Sequence, residues 1–205
     1  MSSTLSVAAV TAALRNRLTV VSSPLPGETT TDLSDTQVTT LPPDKAGLQE
    51  DHNQINLFLY QIQPSPSGRN LDSRGQAGRK PALALELLYL VTFYGRNANE
   101  ILTQRLLGRA MSLLHSAPAL APAELAAALP GSDLDKATDL VRLVPHLMPN
   151  EEMVRLWGTF QVKYRLSVAY RASIILIDHE YPDTILPAPT ERRITLGPIP
   201  DGGSL

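Results

Sequence analysis

Four histidines, His52, His115, His146 and His179, have the widest chemical range of any side chains in this 205-residue chain, since each could act as base, acid or metal ligand. Catalysis at a polar site needs such a group beside a nucleophile, a pair of carboxylates, or a cage of metal ligands. The four are scattered, without the close helical spacing that puts two imidazoles on one face for zinc, and there is no Gly-x-Ser-x-Gly elbow. Cysteine is absent, which removes disulfides, thiolate chemistry and the commonest structural zinc ligands together and suits a reducing cytoplasm. Asp178-His179-Glu180 sets three possible ligands in a row. In an extended chain neighbours point to opposite faces, so the three cannot converge without a bend, and a strand end turning into solvent is the better reading. No catalytic residue, no metal site and no cofactor is expected.

The segment from Gly68 to Lys80 is the other place where residue types suggest binding. It carries Arg69, Arg74, Arg79 and Lys80 among Gly68, Gly75 and Gly78, and only Leu71 and Ala77 are apolar. Glycines expose amides and arginines supply paired donors, so it could cradle phosphate. Its spacing matches neither the P-loop nor the dinucleotide fingerprint. A solvated loop, a docking arm for an acidic protein surface and a phosphate or nucleic-acid site all remain open, in that order. Trp157 lies on the apolar side of a helix and reads as a core anchor rather than a binding platform.

The elements that would position these residues follow from periodicity. Val7, Val10, Leu14, Leu18 and Val21 recur at steps of three and four, which predicts an amphipathic helix over about 4–21 with Arg15, Asn16 and Arg17 largely off its apolar face. Residues 37–40 alternate briefly and suit an edge strand, and Ile55–Ile62 is β-branched and aromatic, a central strand. Residues 82–94 read as helix at the start and strand at the end; a strand ending at Tyr94 and a helix over 98–115 fit best. A short helix over 123–129 precedes a strand at 140–147, where Pro145 is tolerable at an edge. Asn150 is expected to cap a helix with Met153, Leu156, Trp157 and Phe160 on its inner face. The strongest strand runs within 164–178. Together these predict an α+β fold, a mixed, mainly antiparallel sheet packed against helices, in one domain over 1–181. Residues 182–205 form a proline-rich spacer and tail in which Ile194-Thr195-Leu196 is a possible last strand.

Composition narrows the class. Apolar residues make up 43% of the chain, enough for a sizeable core, and 18 basic against 20 acidic side chains leave a net charge of -2. No global field therefore favours nucleic acid or anionic lipid. Met1-Ser2-Ser3-Thr4 lacks the basic flank of a secretory signal. The longest apolar stretch, Ala82–Val91, is about half the length needed to span a bilayer and contains Glu86. Neither standard export nor membrane insertion is expected.

Four blocks carry a resemblance: Gln54-Ile55-Asn56-Leu57-Phe58-Leu59-Tyr60-Gln61 followed by Pro64, then Leu83–Gly95, then Arg105-Leu106-Leu107-Gly108-Arg109-Ala110-Met111, and finally Leu156–Tyr170. In this order and spacing they resemble the N-terminal domain of cap, or tail-terminator, proteins of extracellular contractile injection systems, such as the antifeeding prophage and virulence-cassette particles. The resemblance covers most of residues 5–178. It implies a tail-terminator-like fold in a hexameric ring that sits on the last tube and sheath layers and stops polymerisation, with sheath and inner-tube proteins as partners. Such a particle is assembled in the cytoplasm and then released or membrane-associated.

The resemblance implies no active site. This chain is shorter than the larger members, and the residues after its last strong strand are few. Sheath subunits in such particles join through exchanged strands, so the tail around Ile194 and Leu196, or a sheet edge, is expected to pair with a neighbour. The cluster Arg69, Arg74, Arg79 and Lys80 is expected to dock the acidic rim of tube or sheath.

Overall fold

A computed structural model describes residues 5–29, 32–66, 83–130 and 140–177. Its frame is one six-stranded sheet. In chain order the strands are β1 (Gln37–Thr39), β2 (Gln54–Pro64), β3 (Leu83–Tyr94), β4 (Ala119–Leu120), β5 (Val141–Pro145) and β6 (Ser167–Ile177), and they lie side by side as β1-β2-β3-β6-β5-β4. Only β1 and β2 run parallel; every other pairing is antiparallel. The fold is therefore the mixed, mainly antiparallel α+β arrangement that the sequence predicts.

The double reading of residues 82–94 has a physical origin. Every residue of β3 from Ala84 to Phe93 is buried, because the strand lies mid-sheet with both faces covered. A strand buried on both faces is continuously apolar rather than alternating, and periodicity cannot tell it from a buried helix. Backbone pairing on both sides, to β2 from Leu85 to Tyr94 and to β6 from Leu83 to Thr92, makes it a strand throughout.

One face of the sheet holds the main core. Helix α1 (Ser6–Thr19) buries Ala9, Val10, Ala13, Leu14 and Leu18 against Ile55, Leu57, Leu87, Tyr89 and Val91. Helix α2 (Glu100–Ser116) adds Leu102, Leu106, Ala110 and Leu114, and the short α3 (Pro122–Ala128) adds Leu125. Each fully buried leucine contributes about 1.5–3 kcal/mol relative to exposure. The Tyr89 hydroxyl meets Thr11 Oγ1 at 2.8 Å, so this large side chain is buried without an unpaired polar atom. Asn99 caps α2, its side chain accepting from the amides of Ile101 and Leu102 at 3.0 and 3.2 Å. The helix starts two residues later than expected because Asn97 and Ala98 both adopt left-handed backbone, φ 53 and 55.

Arg17, expected off the apolar face, is in fact mostly buried, with its side chain 9% exposed. Its guanidinium reaches Glu124 on α3, with Nε donating to Oε1 at 2.9 Å, and donates to the carbonyls of Ala119, at 2.9 Å, and Ala117. One charged side chain thus ties α1 to the chain between α2 and α3.

The opposite face carries helix α4 (Asn150–Phe160). Phe58 is the register partner of Leu90, and its ring meets Phe160 edge-on at 5.5 Å, which ties α4 to the sheet at β2. Two expectations are corrected here. Asn150 is the first helical residue rather than the cap; Pro149 takes the cap position and no side chain caps the end. Of the four inner-face residues, only Trp157 is buried, while Met153, Leu156 and Phe160 stay half-exposed. Periodicity gives a face but not how much of it a neighbour covers.

At the margins, β1 pairs only with Gln54–Asn56, so from Leu57 onward the outer side of β2 has no strand partner among the described residues. A bulge at Tyr60 bends that open stretch. On the other margin Leu143 donates outward to Pro118 O at 2.6 Å. Pro145, two residues on, therefore points its nitrogen the same way, past the end of β4, where no ladder bond is lost.

Candidate assembly surfaces

Arg69, Arg74, Arg79, Lys80, Ile194 and Leu196 all lie outside the described residues, as do Asp178-His179-Glu180 and the whole spacer and tail from 182. The roots of those segments are described. Residues 67–82 connect Pro66 to Leu83, and the segment from 178 follows Ile177. Leu83 and Ile177 are register partners, and Pro64 pairs with Leu85, so both segments depart from one end of the sheet.

At that end sits a buried acid. Glu86 is 6% exposed and accepts from Gln63 Nε2 at 3.1 Å and Ser65 Oγ at 3.2 Å, with Arg171 Nη1 at 3.6 Å. It occupies the place where the β3–β6 register slips, between Leu85 and Leu87. The three contacts supply the donors that a buried carboxylate requires.

The three described histidines do not assemble into a site. His52 Nδ1 lies 2.8 Å from Asp51, His115 is exposed and His146 is half-exposed. Among the described residues no three His, Asp or Glu side chains converge to hold a metal.

Two surface depressions flank α4. A groove of about 540 Å³ runs between the open part of β2 and the helix, lined by Tyr60, Gln61, Pro149, Glu152, Arg155 and Leu156. The buried Tyr60 hydroxyl has no hydrogen-bond partner there, and desolvation, aided by the negative charge of Glu152, pushes its pKa up to about 12.

The second depression surrounds Tyr94 at the far end of β3. Its hydroxyl is also buried and unpartnered; burial raises its pKa to about 12 although the Arg165 charge pulls the other way. The Arg165 guanidinium lies 5.9 Å from the ring centroid, a cation–π placement. Gly47 closes the other side of the ring with φ +71, and a Cβ there would stand 2.3 Å from two ring carbons. Its amide donates to Gln54 Oε1 at 2.9 Å, and Gln54 in turn donates to Thr39. Trp157 stacks edge-on with Tyr164 at 5.7 Å and with Phe160 at 6.4 Å.

Trp157 is thus the core anchor expected of it, although its indole N–H has no acceptor. Tyr94, Arg165, Gly47 and Tyr60 were not singled out by sequence reasoning. Tyr60, Tyr94 and Arg165 had one signal, membership of the quoted blocks, which gives no chemistry, and Gly47 lay outside even those. The arrangement holds no nucleophile beside a base; it offers apolar walls, aromatic edges and hydrogen-bond donors, the chemistry of a binding surface.

The Pvc16 N-terminal domain family matches residues 9–190, which among the described residues takes in all six strands, α2, α3 and α4, and α1 from Ala9 onward. The chain belongs to this family. No curated protein matches it in sequence. Among solved structures, a cryo-EM structure of an extracellular contractile injection system, the PVC sheath/tube terminator in its extended state, is similar to this family member with a TM-score of 0.57 at 14% identity. That match covers 93% of this chain and 65% of the other, so the chain spans about two thirds of its length. A cryo-EM structure of the anti-feeding prophage cap, a tube-terminating cap, matches with a TM-score of 0.46 at 16% identity, covering 93% of this chain and 58% of that one. The resemblance read from the four blocks is thereby borne out at the level of family, and the first structural match carries it to the fold.

Proposed function

We propose that this chain is a structural cap of a contractile injection particle, closing the distal end of tube and sheath and stopping their growth. The observation that carries the reading is the family match across 9–190, which takes in the entire sheet with the helices on both of its faces. The likeness of fold to a sheath/tube terminator supports the same reading. The role is architectural rather than catalytic, and works through association with a second copy, with sheath and with inner tube.

Closure of a six-fold tube asks for a ring of six copies, built from one heterologous interface repeated until it closes. The basic residues Arg69, Arg74, Arg79 and Lys80 dock an acidic rim of the particle, and the tail beyond 182, with Ile194 and Leu196, adds a strand to a neighbour. The roots of both segments at one end of the sheet support a shared contact surface. No helix among the described residues is long and apolar enough to cross a membrane, which fits assembly in the cytoplasm before the particle is released or attached to a membrane.

The deciding experiment labels the chain in purified particles and images them by negative stain. Label at the end opposite the baseplate, with overlong or unstable tubes when the chain is deleted, is the expected result. Label at the baseplate would assign it to another part of the tail.

A further inference from the structure

Beside Tyr94, the loop 43–48 and the segment that follows α4 enclose a pocket of about 200 Å³. Pro43, Ala46, Leu48, Tyr94, Trp157 and Val162 make its apolar lining, and Lys163 and Arg165 stand at its rim. It is smaller than the roughly 300–1,000 Å³ that small-molecule sites occupy, and has room for about one bulky side chain. Leu48 is 74% exposed and Tyr164 58% exposed, so apolar surface continues outward from the mouth. Two buried donors among its surroundings, Trp157 Nε1 and Tyr94 Oη, lack partners.

The charge at the rim has a definite sign. Lys163 and Arg165 are exposed, and neither pairs with a carboxylate among the described residues. Asp44, the one acid in the lining, is paired with neither. Elsewhere the arginines at 17, 96, 105, 109 and 171 each meet an acid, while Arg142 and Arg155, like the rim pair, meet none among the described residues. The pocket is also built rather than incidental, because Gly47 must keep its left-handed backbone and lack a Cβ for the Tyr94 ring to form the wall.

We propose that this pocket docks a partner polypeptide at a segment where a bulky apolar side chain is flanked by carboxylates. The apolar side chain fills the space between Trp157, Tyr94 and Leu48, and the carboxylates meet Lys163 and Arg165. An aromatic-walled pocket with a cationic rim is the arrangement in which interface energy concentrates. Apolar contact supplies the affinity, and the rim charges select acidic over neutral segments.

The test uses the full chain and its single tryptophan, Trp157, as reporter. The protein is titrated with the peptide acetyl-Leu-Asp-Leu-Glu-amide and, separately, with its neutral counterpart acetyl-Leu-Asn-Leu-Gln-amide, while indole emission is followed. A saturable change with the acidic peptide, at least tenfold weaker for the neutral one, is expected. The K163E/R165E variant, and L48E at the exposed rim, should each lose that response by tenfold or more while retaining a cooperative unfolding transition. No saturable change with the acidic peptide, equal responses to both peptides, or an unaltered response in K163E/R165E would each overturn the proposal. The titration involves no particle, so a failure of the cap reading leaves its outcome intact, and the reverse also holds.

Discussion

Leu83 and Ile177 stand opposite one another across β3 and β6, so residues 67–82 rejoin the sheet, and the chain from 178 leaves it, at neighbouring points. If the basic cluster and the tail engage one partner surface, their effects should not be independent. R74E/R79E is expected to reduce co-sedimentation with purified particles, and truncation at Pro187 to weaken capping. The combined variant should lose less than the product of the two losses. Fully multiplicative losses, measured by quantitative sedimentation, would place the segments on separate contacts.

Arg17 is the second point of leverage. Replacing it with Met removes the donors from the carbonyls of Ala117 and Ala119 and from Glu124, which is itself about one third exposed. Stability should fall by about 3 kcal/mol, toward the low end for breaking a buried pair. Glu124→Gln keeps a neutral acceptor and should cost roughly 0.5–1.5 kcal/mol. Urea midpoints of the two variants check the ranking; equal losses would mean that the carbonyl contacts contribute nothing.

Gly47→Ala meets two objections together. The left-handed φ of +71 disfavours any Cβ, and this one would approach the Tyr94 ring to 2.3 Å. A destabilisation of about 1–3 kcal/mol is expected. Gly108→Ala, where a Cβ meets nothing within 4 Å in the middle of α2, should instead be neutral or stabilising by up to about 1 kcal/mol. Thermal unfolding of the pair separates backbone from packing effects.

Alkaline pH should weaken the fold through Tyr60 and Tyr94. Both pKa values rise from 10.0 to about 12 on folding, with burial the largest cause, so the folded state favours the neutral phenol. The resulting stability is fully present below pH 10 and is lost as pH climbs from 10 to 12. Tyr60→Phe and Tyr94→Phe remove the ionising group, and each should flatten the fall of the urea midpoint across that window. A fall as steep as that of the wild type in both variants would assign the alkaline loss to other groups.

The sequence made the strands and helices legible because their patterns are strong. Ile55–Ile62, the helix beginning near Asn99 and the alternation at Val168 and Tyr170 each declare one element type. What stayed hidden depends on the neighbours that tertiary structure brings. Arg17 reads as a solvated residue until α3 supplies Glu124. The α4 face reads as fully packed until the sheet covers only Trp157. Asn53, Gln54 and Asn56 look like unusual polar beginnings for a strand. They are buried, and their amides hold the chain from Asp32 to Gly47 through bonds to Asp32 O, Gly47 N and Leu41. Tyr94 and Gly47 form one wall although they lie far apart in sequence, which no local pattern encodes. The basic and tail residues chosen from composition fall outside the described residues, so their part in assembly rests on the experiments above.

The placement of β3 also sets a condition on synthesis. This strand needs β2 on one side and β6 on the other, and β6 does not begin until Ser167. While the ribosome is still making α2, α3 and α4, β3 presents an apolar strand with one edge unpaired. Slow translation past α4, or a chain cut short before Ser167, should therefore yield aggregates rather than a smaller soluble domain.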